Sequence, residues 1–298
     1  CEIGHGGYGC LFWLVYYLAV YFSQRENQTR TREGDRLMKT LIALVFAILP
    51  ALSLAAGGGV HLDEMKVDLE DNASLQRGAK YFANYCMGCH STKFARYNRV
   101  ARDLGIPEDM MAENLIFGES KVGSLMKIAM RPEDSKKWFG ATPPDLTLVA
   151  RVRGADWIYT YLRSFHQDDS RPYGVNNTVF KDVGMPHVLE GLQGMQVKGC
   201  ALVVVGFDPL TGQDIKEDSC AKTDHDGNQI EVLYLEKEGS LNVKAYDKVV
   251  ADLTNFLVYM AEPMALERQR LGFWVLLFLA LLFVPVYYLN REFWREIH

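Results

Sequence analysis

One short run, CMGCH at residues 86–90, constrains this chain more than any other feature. Two thiols separated by two residues can each add to a vinyl group of a porphyrin. The histidine that follows is then held under the central iron as an axial ligand. The run therefore predicts a covalently attached c-type haem, bound through Cys86 and Cys89, with His90 as one iron ligand. Residues 77–85 favour a short helix that leads into this site.

Three alternatives to haem attachment compete for the paired cysteines. A thioredoxin-like redox pair would lie beside a strand–helix–strand pattern, which is not visible around these residues. A zinc site would need a second ligand pair, but Cys200 and Cys220 lie twenty residues apart with no histidine pairing. A chance match is the third. The sequence favours haem over all of them.

The net charge of the chain restricts the kinds of molecule that it can bind. The chain has 298 residues, enough for one large or two small domains, and a formal net charge of −5. A negative charge argues against nucleic-acid binding, which requires a basic surface. A mildly acidic surface suits a basic protein partner instead.

The first 37 residues do not resemble a folded domain. They begin at Cys1, contain an apolar run at 11–22 that is too short to span a bilayer, and continue into an Arg-rich polar stretch. We interpret residues 1–37 as a non-native upstream segment. A genuine fusion to a preceding membrane subunit is the alternative.

Residues 38–56 have the organisation of a secretory signal peptide. Met38 and Lys39 precede an apolar stretch at 41–54, which ends in small residues. An uncleaved anchor is the alternative. Both predict export, which in a bacterium means the periplasm, where c-type haem is attached and disulfides persist.

Residues 57–266 are predicted to form a mainly α-helical haem domain with a small β insertion. Two β-branched runs, 200–206 and 230–235, suggest a hairpin or ribbon. Apolar residues favour helices in four segments: 106–113, 121–130, 156–164 and 245–261.

The last apolar run, residues 272–289, holds eighteen residues without a charge. This length is sufficient to cross a bilayer, and aromatic residues and arginines lie at its ends. We predict one transmembrane anchor at 267–290 and a cytoplasmic tail at 291–298.

The iron opposite His90 needs a sixth ligand or an open position. Met185 is the leading candidate, because Gly184 and Pro186 bracket it in a loop that can hold the sulfur rigidly. A methionine ligand raises the potential and suits electron transfer. Met195 is a second candidate, and His187, which would lower the potential, is a third.

Three further features are candidates for the surroundings of the haem. The PPDL segment at 143–146, including Pro144, is stiff enough to wall one haem edge. Arg151 or Arg153 could neutralise a haem propionate, although either could also be a solvated surface charge. Cys200 and Cys220 could form a disulfide that stabilises the fold by roughly 3 kcal/mol, with two free thiols as the alternative.

Residues 60–298 resemble the cytochrome c1 family. The resemblance rests on motifs in the family's order: CMGCH at 86–90, PPDL at 143–146 with RVR at 151–153, VGMP at 183–186, FLVYMAEP at 256–263, and an anchor ending in PVYYL at 285–289. It implies a class I cytochrome c domain in which His90 and Met185 are the axial ligands and Arg153 contacts a propionate. The Cys200–Cys220 pair is similar to a disulfide found in some bacterial members.

The resemblance also implies a function. Family members accept one electron from the Rieske iron–sulfur subunit, pass it to a cytochrome c, and perform no substrate chemistry of their own. It implies one covalent haem, a dimeric complex with cytochrome b, and a bacterial inner-membrane location with the haem domain in the periplasm. The alternatives are a stand-alone anchored cytochrome c and a haem-based sensor or enzyme with an open sixth position.

Overall fold

The computed structural model describes residues 60–208, 213–221 and 231–295. The predictions for residues 1–37 and 38–56 lie outside this range. The described helices, in chain order, are α1 (Asn72–Tyr81), α2 (Tyr97–Leu104), α3 (Glu108–Asn114), α4 (Pro132–Phe139), α5 (Val149–Arg153), α6 (Ala155–Arg163), α7 (Glu190–Gln193), α8 (Val243–Ala261) and α9 (Ala265–Phe293).

Short antiparallel pairs of strands interrupt these helices, and each pair forms its own two-stranded sheet. The strands are β1 (Thr92–Arg96), β2 (Leu125–Met126), β3 (Phe165–Gln167), β4 (Val175–Asn177), β5 (Gly194–Gly199), β6 (Leu202–Asp208), β7 (Gln213–Asp218) and β8 (Val232–Glu238). Within the described residues about half of the chain is helical and the strand content is small, so the predicted mainly α fold class is confirmed only in this coarser form.

Helices α1 and α8 form the centre of the core. They approach so closely at Gly78 that a Cβ built there would lie 2.2 Å from the Asp252 carbonyl oxygen. Beside this contact, Phe82 and Phe256 are both fully buried, with ring centroids 5.5 Å apart. The buried carboxylate of Asp252 pairs with the Arg77 guanidinium at 2.6 Å. Helix α1, which leads into the CMGCH run, is therefore held tightly against α8.

Helix α1 leads into the CMGCH run through a π-helical turn. Its N-terminus is capped by Asp71, whose side chain accepts a hydrogen bond from the Ser74 amide. Its C-terminal end continues into a π-helical turn, Phe82–Cys86, and the Met87 amide donates to the Phe82 carbonyl at 2.9 Å. Single π turns within helices often mark functional sites. The turn carries Cys86 to the edge of the cavity described below.

One predicted helix, at residues 121–130, is wrong. The chain turns at this point, since the Ser124 amide donates to the Lys121 carbonyl and the Ser124 hydroxyl accepts from the Lys121 amide. Such local side-chain bonds compete with helix formation, and Gly123 is a poor helix former. Leu125–Met126 then form β2, which pairs with β1.

The predicted β insertion is present, but its pairing differs from the simplest expectation. Run 200–206 falls mostly in β6, which pairs with β7, whereas run 230–235 falls mostly in β8, which pairs with β5. The two runs therefore belong to separate two-stranded sheets. Strand β7 is not predicted because all its residues are exposed and all but Ile215 are polar, so it lacks the alternation that identifies a half-buried strand.

Helix α9 contains the predicted membrane anchor. It is 29 residues long and is apolar and long enough to cross a membrane, and none of its apolar window is buried within the structure. At 1.5 Å per residue the eighteen uncharged residues extend about 27 Å, close to the thickness of a hydrocarbon core.

Candidate functional site

A cavity of about 410 Å³ lies where the haem motif faces α5, α6 and α8. Most of the side chains around it are apolar. The cysteines and the histidine of the motif meet there with the Met185 segment, although more than ninety residues of sequence separate them. The lining includes Tyr85, Cys86, Cys89, His90, Phe139, Pro143, Pro144, Leu146, Val149, Arg153, Trp157, Ile158, Tyr161, Leu162, Phe180, Val183, Met185, Pro186, Val188, Leu253 and Leu257.

His90 is held by one ring nitrogen. Its Nδ1 lies 2.7 Å from the Pro144 carbonyl oxygen, so this nitrogen carries the proton and donates it. The other nitrogen, Nε2, is then the unprotonated atom that a metal requires. Burial lowers the pKa of the imidazole, and the Pro144 hydrogen bond opposes this effect. The ring is therefore neutral at neutral pH, which is the state that binds iron.

The two motif cysteines are not bonded to each other. Both are free thiols, and both line the cavity. Burial raises the pKa of Cys86 to about 12. A redox-active cysteine pair normally contains a thiolate of lowered pKa, so this environment does not suit a thioredoxin-like site. Among the described residues, Cys200, Asp218 and Cys220 also lie close enough together to offer metal ligands. However, Cys200 and Cys220 are joined in a disulfide, so their sulfurs are not available as thiolates.

The PPDL loop is tied at three points to the CMGCH run and to the residues that follow it. Besides accepting from His90, it donates from the Leu146 amide to the Ser91 carbonyl at 2.9 Å. The Asp145 carboxylate accepts from the Lys93 amide at 2.8 Å. Pro144, which belongs to the segment predicted to wall one haem edge, lines the cavity. Its carbonyl also orients the histidine, a role that no side-chain pattern could reveal because every residue has a carbonyl.

Met185 lines the same cavity from a constrained loop. Asp182, three residues earlier, adopts the left-handed conformation with φ 61°, which a side chain rarely occupies. Two hydrogen bonds hold it there. Its amide donates to Asn176 Oδ1 at 2.8 Å, and its carbonyl accepts from Arg171 at 2.8 Å. These two hydrogen bonds thus constrain the loop that carries Met185.

The two alternative sixth ligands lie elsewhere. Neither Met195 nor His187 is among the residues that line the cavity. Met195, like Met185, packs against a small buried cluster that contains Phe165. The His187 ring stacks on Phe165 with centroids 4.9 Å apart, and burial lowers its pKa to about 4.

Of the two candidate arginines, Arg153 lies at the cavity and Arg151 does not. Arg153 lines the cavity, and its guanidinium lies over the rings of Trp157 and Phe180, 5.0 and 5.9 Å from their centroids. Arg151 is exposed and does not line it. Stacking on aromatic faces leaves the N–H groups of a guanidinium free to donate in its plane. Arg153 is therefore the arginine available to a carboxylate bound in the cavity.

One polar group in the cavity was missed from the sequence. The Tyr161 hydroxyl lies 3.4 Å from Met185 Sδ and donates to it. The sequence pattern indicates only that Tyr161 is one of the apolar residues of the predicted helix at 156–164. Nothing in its spacing indicates that its hydroxyl meets a sulfur 24 residues further on.

The residues around the cavity fit a haem. A porphyrin is a large apolar ring with two carboxylates, and it requires apolar walls with a cation at one edge. The cavity supplies these, together with two unpaired thiols, an oriented imidazole and a thioether. This donor set is the one expected for a haem held by thioether links with histidine and methionine available to the iron.

Comparison with known protein families agrees with this geometry. The family described as "Cytochrome C1 family" matches residues 64–193 and 238–297. These segments contain the haem motif, the PPDL and Met185 loops, α8 and α9. The match leaves out residues 194–237, which hold β5, β6, β7, most of β8 and the Cys200–Cys220 disulfide. The β insertion is therefore the part of the domain that departs from the family pattern.

Several relatives are similar over most of the chain. A cytochrome c1 from Allochromatium vinosum is 50% identical over 262 residues, which are 88% of this chain and 100% of that protein. An ammonia monooxygenase gamma subunit from Nitrosomonas europaea is 42% identical over 263 residues, with the same two coverages. A cytochrome b/c1 from Bradyrhizobium diazoefficiens is 26% identical over 261 residues, and the match covers 76% of this chain and 34% of that longer protein.

The match to the family model extends over more than half of the chain, and one full-length cytochrome c1 is half identical to it. Both agree with a cavity that combines free thiols, an oriented histidine and a methionine. The chain belongs to the cytochrome c1 family of electron-transfer haem proteins.

Proposed function

We propose that this chain is the haem subunit of a cytochrome bc1 complex. It passes single electrons from the Rieske iron–sulfur subunit to a cytochrome c through one covalently bound haem. The observation that carries the proposal is the His90–Pro144 hydrogen bond, which presents an unprotonated nitrogen to the cavity that both cysteines and Met185 also line. The haem, when bound, supplies one-electron oxidation and reduction.

The protein's first task in this proposal is to bind and orient. Cys86 and Cys89 hold the porphyrin by thioether bonds, and His90 provides one axial nitrogen. The Pro144 carbonyl fixes the ring's orientation and its tautomer. Because α1 and α8 clamp the preceding segment at Gly78, the histidine is held by a rigid part of the core.

The second task is to close the opposite side. Met185 provides the sixth ligand from its constrained loop and excludes water and small ligands from the iron, which favours electron transfer over ligand binding. The apolar lining also excludes water. Arg153 neutralises a propionate at the edge of the cavity. This assignment favours an electron carrier over a haem-based sensor or enzyme with an open sixth position.

The membrane location follows from α9 and the predicted export of the chain. The haem domain lies in the periplasm of a bacterium, α9 crosses the inner membrane beside cytochrome b, and the C-terminus lies in the cytoplasm. The complex is dimeric, as the family resemblance implies. The acceptor is a basic cytochrome c, which would be attracted by the acidic charge of the chain.

The similarity to an ammonia monooxygenase gamma subunit raises a second candidate assembly. A subunit of an oxygenase complex could use the same cavity to carry electrons, so the site does not distinguish the two assemblies. The partners do. A bc1 subunit should remain bound to cytochrome b and a Rieske protein, whereas an oxygenase subunit should not.

The experiment is a purification of the full chain from native membranes in mild detergent, using a C-terminal affinity tag. The proposal expects cytochrome b and a Rieske protein to copurify, and added quinol to reduce the c-type haem. It also expects the haem to stay on the polypeptide in denaturing gels, and to be lost in a Cys86→Ala/Cys89→Ala variant. Purification without those two subunits would favour a stand-alone cytochrome or the second assembly.

A further inference from the structure

The Tyr161 hydroxyl is in direct contact with the proposed sulfur ligand. It lies 3.4 Å from Met185 Sδ and donates a hydrogen bond to it. A thioether sulfur has two lone pairs, so it can bind a metal with one and accept a hydrogen bond with the other. The contact is therefore compatible with Met185 being an iron ligand.

Neighbouring rings fix the position of this hydroxyl. The Trp157 ring stacks on Tyr161 with centroids 4.8 Å apart and planes 10° from parallel. On the other side, Phe165 meets Tyr161 edge-on at 5.1 Å. The backbone is fixed too, since the Asn177 side chain donates to the Tyr161 carbonyl at 2.7 Å. The tyrosine has little freedom to turn its hydroxyl away from the sulfur.

Burial keeps the hydroxyl in its donor form. An ordinary tyrosine hydroxyl is protonated throughout the physiological range, and a buried one is no easier to ionise. An ionised tyrosine would repel the electron-rich sulfur instead of donating to it.

We propose that Tyr161 is a positioning residue that sets the reduction potential of the haem through its hydrogen bond to Met185. The proposal rests on Met185 being the sixth ligand, as put forward under the proposed function. The sulfur is more electron-rich beside reduced iron than beside oxidised iron, so it accepts the hydrogen bond more strongly in the reduced state. The hydroxyl therefore stabilises the reduced haem and raises the potential.

The change in reduction potential cannot exceed the free energy that one hydrogen bond contributes. A neutral hydrogen bond changes an equilibrium constant by a factor of roughly five. The reduction potential depends only on how much more strongly this bond stabilises the reduced haem than the oxidised haem. Removing the hydroxyl should therefore raise the oxidised-to-reduced ratio at a fixed ambient potential by about two- to fivefold. With 59 mV per decade for one electron, this is a fall in potential of roughly 20 to 40 mV.

The chain offers a matched control. The Tyr97 hydroxyl lies 3.5 Å from Met87 Sδ, and Met87 does not line the cavity. Tyr97→Phe and Tyr161→Phe therefore each remove one tyrosine–methionine hydrogen bond from the same domain. Only the second removes it from the proposed ligand. Both variants keep the aromatic ring and are expected to fold.

The test is a spectroelectrochemical titration of the purified full-length haem protein in detergent, with wild type, Tyr161→Phe, Tyr97→Phe and Met185→Leu. We expect Tyr161→Phe to keep the near-infrared methionine–iron band, altered in position or intensity, and to lower the potential. We expect Tyr97→Phe to leave both unchanged.

Two outcomes would overturn the inference while sparing the proposed ligand. These are an unchanged potential in Tyr161→Phe, or an equal fall in both tyrosine variants, when Met185→Leu abolishes the band. If Met185→Leu retains the band, the ligand assignment is wrong and the inference falls with it. The Met185→Leu measurement therefore separates failure of the inference from failure of the proposed function.

Discussion

Replacing Gly78 by alanine should destabilise the domain, although alanine is the better helix former. Gly78 lies in α1 where that helix meets α8. An added Cβ would lie 2.2 Å from the Asp252 carbonyl oxygen and 2.6 Å from Phe256 Cβ. Both distances are more than about 0.8 Å below ordinary van der Waals contact. Neither atom is the end of a flexible side chain, so the helices themselves must separate.

The magnitude follows from two opposed contributions. Overpacking a tight core contact costs typically about 1–3 kcal/mol, and a clash with backbone belongs at the upper end. The gain in helix propensity from glycine to alanine offsets about 1 kcal/mol of this. The net loss in the free energy of unfolding is therefore about 2 kcal/mol. For a domain of this size it corresponds to a fall in melting temperature of about 4–8 °C.

Gly191 is a suitable control, because it also lies in a helix, α7, and a Cβ there would meet no atom within 4 Å. Gly191→Ala should leave the melting temperature unchanged or raise it slightly. The assay is thermal unfolding of the haem-loaded protein in detergent, followed by far-ultraviolet circular dichroism and by haem absorbance. A Gly78→Ala protein that melts with or above wild type would refute the reasoning about α1 and α8.

Three further perturbations have defined outcomes. Replacing Cys200 and Cys220 together by serine should lower the free energy of unfolding in denaturant titrations by about 3 kcal/mol, since the disulfide spans 20 residues; an unchanged midpoint would contradict this. Hydrogen bonds, chiefly from Ser170, hold the pKa of Asp168 below its ordinary value. Because that pKa is depressed on folding, its stabilisation is complete above the unfolded pKa of about 3.9 and is lost as the pH falls through the folded value. Asp168→Asn should therefore flatten the acid limb of a plot of melting temperature against pH, and an identical limb would count against it. Arg153→Gln should lower the haem potential in a redox titration, by less than about fivefold in the oxidised-to-reduced ratio because the guanidinium is exposed; a rise would exclude a propionate partner.

The sequence predicted best where chemistry is carried by side-chain identity and spacing. The CMGCH run, the apolar stripe of α8 and the uncharged run in α9 are such cases. The helix predicted at residues 121–130 is wrong, because hydrogen bonds of Ser124 stabilise a turn there and the helical pattern is weak. The sequence also could not assign strand partners to run 200–206, because β7 carries no hydrophobic alternation.

Within the site, the unpredicted parts are those that depend on three-dimensional contact. The Pro144 carbonyl is invisible to any motif, since its role comes from its position 2.7 Å from a histidine 54 residues earlier. Tyr161 looked like an ordinary core residue of α6. The left-handed conformation of Asp182 likewise could not be read from its neighbours, because aspartate tolerates this region without requiring it.

The central claim is that His90 and Met185 are the two axial ligands of an electron-carrying haem. The most direct measurement is the optical spectrum of the oxidised and reduced haem protein, for wild type and Met185→Leu, with and without carbon monoxide. The account predicts a near-infrared methionine–iron band and no carbon monoxide binding in wild type. In the variant it predicts loss of the band and a sharp fall in potential. An unchanged variant spectrum, or a wild-type haem that binds carbon monoxide readily, would contradict it.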